Sequence, residues 1–206
     1  KQDKDAFVAS ALGVTNFAYF LAETMYAKAL TARQLLIIDE AHNTEMELSK
    51  FIEIVFSERF ARDVMDVKPS KSTQQPDVFQ WIKTKYRPAL QKRIKKMEEL
   101  FETAYMKGEQ PSSDQTKQYE SMDKHICKVN RFINNYDPAN WVMTVTRVGE
   151  GKKATHKFEF KPVNVAPFGH DYLFKFGDVV LMMSGTILDH ELFCKDLGIP
   201  LHQTAF

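Results

Sequence analysis

The stretch LLIIDEAH, residues 35–42, sets the reading of the whole chain. Leu35, Leu36, Ile37 and Ile38 form a short, branched apolar run that ends abruptly in two carboxylates. Such a run predicts a buried strand of a parallel sheet. Asp39 and Glu40 then stand at the carboxyl end of that strand, the edge where open α/β sheets bind their ligands. Two adjacent acids there need a reason, because unpaired buried charge is costly. A divalent cation carried by a nucleoside triphosphate supplies one. Asp39 is expected to hold magnesium, directly or through its water, in a metal site shared with Glu40. Glu40 is expected to orient and polarise the water that attacks the γ-phosphate. The plainer alternative is a strand followed by an acidic helix start, with Asp39 or Asn43 as cap.

A second apolar run, VVLMMSGTI at 179–187, also ends in small polar residues. Taken alone, Ser184, Gly185 and Thr186 need be no more than a strand end, a turn and a helix cap. Asp39-Glu40-Ala41-His42, however, is the DEAH box of superfamily 2 helicases, and Ser184-Gly185-Thr186 resembles helicase motif III. GVTNFAYFL at 13–21, LLIIDEAHN at 35–43, FEFKPVNVAP at 158–167 and VVLMMSGTILDHELFCKDLGIP at 179–200 follow in order. In these motifs the chain resembles the XPD/DinG family of DNA helicases, over roughly the first 55 and last 65 residues.

That resemblance implies an α/β fold: a partial RecA-like parallel-sheet domain in two parts, 1–56 and 140–206, interrupted by a helical arch insertion at 57–139. It implies ATP-dependent 5′-to-3′ translocation on single-stranded DNA, with ATP and Mg2+ as cofactors. Hydrolysis would take place at the interface with a second RecA-like domain of the same polypeptide. The catalytic residues would be Asp39, Glu40 and His42, with His42 bridging the ATP site to motif III. Ser184, Gly185 and Thr186 would couple the ATP state to the grip on nucleic acid. Thr15 and Asn16 would lie beside the DNA path. Each has a bland alternative: His42 as a hydrogen-bonded structural histidine, Thr15 or Asn16 as a helix cap.

At 206 residues the chain suffices for one good core, or one core with an insertion. Apolar content of 44% and charged content of 27% are ordinary for a globular protein. A formal net charge of +1 excludes a global basic excess, so any affinity for nucleic acid must be local. Cys127 and Cys194 are read as buried thiols of a reducing compartment. They cannot alone ligate an iron–sulfur cluster, which takes four ligands. The resemblance allows a 4Fe–4S cluster in the intact protein, its ligands outside these residues. No apolar stretch approaches membrane-spanning length, and KQDKDAF lacks a signal-peptide core. Neither an initiating Met nor a Gly-x-x-x-x-Gly-Lys-Ser/Thr loop occurs. The expectation is an internal piece of a cytoplasmic or nuclear monomer, inert without its phosphate cradle.

Along the chain, residues 5–12 start a helical pattern, 12–16 (LGVTN) read as a strand, and 17–30 as a helix. With the strand at 35–38 this makes a right-handed β-α-β unit. Residues 43–56 read as a helix and the polar stretch 68–77 as a loop. Leu90, Ile94, Met97, Phe101 and Ala104 form one helical stripe. Tyr119, Met122, Ile126, Val129 and Ile133 form another. With Gly108 and Pro111 between them and Ser112 to Asp114 as a helix start, two antiparallel helices are expected. Lys83, Lys85, Arg87, Lys92, Arg93, Lys95 and Lys96 follow one another with no acid between residues 82 and 97. The run is either a solvated face with pairs such as Lys95–Glu99 or a wall of a single-stranded DNA channel. In the second case Lys85, Lys92 and Lys96 are its contacts, with Pro88 tolerable only in a first helical turn. Residues 141–148 and 155–163 read as a hairpin turning at 149–153, with Trp141, Val145 and Phe158 or Phe160 packed on the sheet. Residues 164–177 read as loop plus short helix, and 188–197 as a last helix stopped by Gly198 and Pro200. Two rival functions remain: a non-catalytic DNA clamp or protein-docking module, and an RNA-directed DEAH helicase, which the long insertion argues against.

Overall fold

The computed structural model describes residues 2–151 and 154–206, so Lys152 and Lys153 of the expected 149–153 turn lie outside the described residues. The first elements are α1 (Gln2–Ala9), α2 (Phe17–Met25), β1 (Arg33–Ile38), α3 (Thr44–Ile52), β2 (Ile54–Ser57), α4 (Glu58–Met65), α5 (Gln75–Trp81), α6 (Arg87–Met106) and α7 (Ser113–Asn134). Then come β3 (Trp141–Val148), β4 (Thr155–Pro162), α8 (Ala166–Tyr172), β5 (Gly177–Met182) and α9 (His190–Leu197). The fold is mixed α/β. It divides into two compact units, Lys1–Ile52 with Pro162–Phe206, and Glu53–Lys161. The sequence-based boundaries at 56/57 and 139/140 differ because the β3–β4 pair lies beside β2 and belongs with the inserted helices. Among the described residues no helix is long and apolar enough to cross a membrane.

The first unit is built on β1 and β5, paired in parallel with Leu35 opposite Val179 and Ile38 opposite Met182. The strand expected at 12–16 does not form: residues 11–16 are exposed, with Leu12 at 81% and Val14 at 88%, so the β-α-β unit lacks its first strand. Side chains alternate across a strand. Ile38 faces inward and is buried, while Leu35, Ile37, Val179 and Leu181 share a face that is about half exposed. The expectation of a strand buried throughout therefore holds for one face only. α2 ends at Met25, short of the expected 30, and α9 begins two residues late, after its cap Asp189. The Arg33 guanidinium donates to the carbonyls of Val8 and Ser10 at 2.8 and 2.7 Å, fastening the end of α1 to β1. Gly169 and Gly198 are required where α8 meets α9. A Cβ on Gly169 would lie 2.1 Å from the Leu197 carbonyl oxygen, and Gly198 caps α9 at φ 71°.

In the second unit, the helix expected over 43–56 stops at Ile52 and the chain becomes β2, which pairs antiparallel with β4. The alternation of Ile54 and Phe56, both buried, is a strand period inside what reads as a helical stretch. α6 and α7 pack as the expected antiparallel hairpin. Leu90, Ile94 and Met97 of one, with Met122, Ile126 and Val129 of the other, are buried, and Phe101 meets Tyr119 at 5.6 Å between ring centroids. Phe132 rather than Ile133 is the buried residue at the end of α7. Its ring lies 4.8 Å from Phe160 and 4.9 Å from Trp141. Phe158 and Phe160 are both fully buried, whereas Val145 is exposed.

Pro88 is the second residue of α6, in its first turn as expected, but no break precedes that turn. α5 continues through a π-helical turn, Ile82–Tyr86, directly into α6, where the Arg87 N–H donates to the Ile82 carbonyl five residues back. The wider turn accommodates a proline that an α-helical interior would reject.

Candidate functional site

The site sits where β1 and β5 end. Past Ile38 the chain leaves the strand, and Glu40 adopts φ 49° and ψ 44°, the left-handed region that a non-glycine residue enters at a cost. The Asp39 carboxylate accepts the Glu40 N–H at 2.8 Å, holding the corner. The backbone then turns back on itself. Met183 N–H donates to the Ile38 carbonyl at 2.9 Å, and Ala41 N–H donates to the Met183 carbonyl at 2.9 Å. Ala41 is fully buried, and the Asn43 N–H closes a short 3-10 turn on the Glu40 carbonyl. This main-chain zipper fixes the box against the segment after β5.

Its consequence is a side-chain contact across 142 residues of sequence: His42 Nδ1 lies 2.9 Å from Ser184 Oγ. The same nitrogen is 3.3 Å from a Glu40 carboxylate oxygen. Ser184 Oγ in turn accepts the Thr186 N–H at 3.2 Å and lies 3.1 Å from Thr186 Oγ1. Glu40, His42, Ser184 and Thr186 are therefore one polar chain. Asp39 joins it through the Glu40 backbone. Gly185 contributes no side chain, is exposed, and would meet nothing within 4 Å if it carried a Cβ.

The remaining sequence-predicted residues are not part of this chain. Asn16 is the cap of α2, its side-chain oxygen accepting the Tyr19 N–H at 2.8 Å, and Thr15 is exposed beside it. Lys85, Lys92 and Lys96 belong to the other unit, Lys85 in the π-helical turn and the others on α6. All three are exposed, and none forms an ion pair among the described residues. Neither does Lys95 with Glu99, the pair expected of a merely solvated face. Cys127 is half-buried and Cys194 buried, where burial pushes the Cys194 thiol up.

No group of three or more His, Cys, Asp or Glu side chains able to hold a metal occurs among the described residues. Asp39 and Glu40 are adjacent, exposed carboxylates, and neither forms an ion pair with a Lys or Arg among the described residues. Hard oxygen donors of this number suit Mg2+, which keeps waters and takes its remaining ligands from phosphate.

Sequence reasoning missed two things. Ala41 and Met183 act through backbone groups, which leave no side-chain signature. In the second unit a buried carboxylate, Glu58, accepts the His156 N–H at 2.7 Å and the Ser70 N–H at 3.1 Å, with His156 Nδ1 at 3.0 Å. Elsewhere in the same unit, Tyr86 Oη lies 2.9 Å from His125 Nε2. Burial raises the Tyr86 pKa and lowers that of His125 to about 4. These are internal polar pairs under an aromatic core. No protein-family model matches the chain, and no curated protein matches it.

Proposed function

We propose that this chain is part of an ATP-dependent DNA helicase of XPD/DinG type, with the β1–β5 pair belonging to a RecA-like domain and the second unit to an arch inserted in it. One observation carries the reading: the 2.9 Å approach of His42 to Ser184, which joins the acidic box and the Ser-Gly-Thr element as two ends of one polar chain. Nothing in a strand with an acidic helix cap calls for that junction.

In this reading Mg2+ and ATP, when bound, supply charge neutralisation and the scissile phosphoanhydride. Asp39 offers the carboxylate oxygen not engaged by the Glu40 N–H as a metal ligand. Glu40, on its strained corner, holds and polarises the attacking water. His42 stands within reach of both Glu40 and Ser184. A shift of Ser184 and Thr186 on gripping DNA changes the partner available to His42 and so the setting of Glu40. The 206 residues contain no Gly-x-x-x-x-Gly-Lys-Ser/Thr loop, so the β- and γ-phosphates are held by residues outside them. Lys85, Lys92 and Lys96 contact the DNA backbone.

The test is Glu40→Gln in the intact protein. The substitution keeps shape and removes charge, so ATP binding persists while turnover falls on the order of 10²–10³-fold. Turnover unchanged in the presence of DNA makes Glu40 a structural acid and ends the reading.

A further inference from the structure

We propose that the open groove between residues 66–72 and the helical face at 77–85 seats the backbone of single-stranded DNA, with Lys68 and Lys71 as phosphate-binding cations. The inference rests on the nucleic-acid reading above and extends it to a loop that no motif marks. The groove has a volume of about 720 Å3 and lies wholly within the second unit. Lys68, Lys71 and Lys85 line it, against Asp66 and Asp77. The three lysines are exposed and form no ion pair among the described residues.

The loop that carries two of them is held in place. Trp81, on the groove floor, donates its indole N–H to the Lys68 carbonyl at 2.9 Å. The Ser70 N–H is anchored on the buried Glu58 carboxylate at 3.1 Å, and Ser70 Oγ donates to the Ser72 carbonyl at 2.7 Å. Lys68 and Lys71 thus project from ordered backbone, which lowers the ordering cost of binding.

Lys92 and Lys96 are exposed further along α6, about 10 and 16 Å beyond Lys85 by helical rise. A row of separated point charges suits an extended polyanion better than a compact one, and lysines contact phosphates without reading bases. An acidic peptide is the other polyanion to weigh. Peptide recognition, however, concentrates its energy in buried apolar anchors. The groove's apolar lining is Val67, Pro69 and Trp81; Trp81 is buried, and no large apolar side chain is exposed between Val64 and Leu100. A phosphate backbone needs no such anchor.

The 206-residue chain is titrated against a fluorescein-labelled dT 20-mer by anisotropy over a series of salt concentrations. Lys68→Ala/Lys71→Ala is compared with wild type and with Lys92→Ala/Lys96→Ala. Loss of two phosphate contacts flattens the slope of log K against log [salt] by about 1.4 and weakens binding on the order of tenfold at 0.1 M salt. An unchanged slope in the groove variant, with the α6 variant impaired, overturns the groove inference and leaves the DNA reading of α6 standing. No binding by wild type, or no change in either variant, overturns both. If the groove variant binds dT normally but loses a poly-glutamate 20-mer, the occupant is an acidic peptide and the inference fails. Both lysines are exposed and form no ion pair among the described residues, so the thermal melt of the variant is unchanged.

Discussion

Glu40 occupies left-handed backbone space without being glycine or asparagine, and strain of this kind persists only where the surroundings impose it. Here the imposition is visible: the Ala41 N–H is claimed by the Met183 carbonyl, and the Glu40 N–H by Asp39. Glu40→Gly relieves the strain at some cost in chain entropy, and is expected to leave the first unit equally stable or up to about 1 kcal/mol more stable. Glu40→Gln keeps the strain and leaves stability unchanged. A chemical denaturation series in which Glu40→Gly is clearly the less stable variant would show that the side chain, not the backbone, holds the corner. Much of this site was legible from the residues. The apolar runs ending in Asp39 and Ser184 announce strand ends, and parallel pairing brings such ends to one edge. The left-handed Glu40 was not legible, because the signal for such a backbone is glycine or asparagine. The Thr15-Asn16 pair was half legible: its helix-cap chemistry is present, but the strand before it is not.

At the scale of elements, the clearest constraint is the α8–α9 junction. A methyl on Gly169 meets a backbone carbonyl, which has no flexible end to yield. Gly169→Ala is expected to destabilise the first unit by about 1–3 kcal/mol. A melt indistinguishable from wild type contradicts the close packing. In the second unit Phe132 sits among Phe56, Trp141 and Phe160, and Phe132→Ala is expected to cost about 3–5 kcal/mol. His125 makes this unit acid-sensitive. Burial, reinforced by the Lys128 charge, depresses its pKa to about 4, below the ordinary value near 6.5. Between those values the unfolded chain binds the extra proton, so stability is full above about pH 6.5 and falls as pH drops toward 4. The total is about 3 kcal/mol. Urea midpoints between pH 7 and 4 should show this fall and a flatter profile in His125→Gln. The helical hairpin was legible because its stripes keep one period over long runs. β2 was not: at four residues it is too short for its alternation to stand out from the helix before it.

At the scale of the molecule, the proposed function gives the site its acids for hydrolysis, while the 206 residues contain no Gly-x-x-x-x-Gly-Lys-Ser/Thr loop. The 206-residue chain alone is therefore expected to hydrolyse ATP no faster than background, with or without DNA. Robust DNA-stimulated turnover by this chain would refute that division of labour. The two-unit division was only partly legible, since the β3–β4 pair reads as more of the first sheet until β2 is seen to claim it. Under the proposed function, the contact between His42 and Ser184 couples hydrolysis to DNA. The most direct test is ATP turnover of the intact protein, with and without saturating single-stranded DNA, for wild type, His42→Ala, Ser184→Ala and the double variant. Each single change is expected to remove most of the DNA stimulation, and the double variant to be no worse than either, because both break one link. DNA stimulation that survives in both single variants, or losses that simply add in the double, would contradict it.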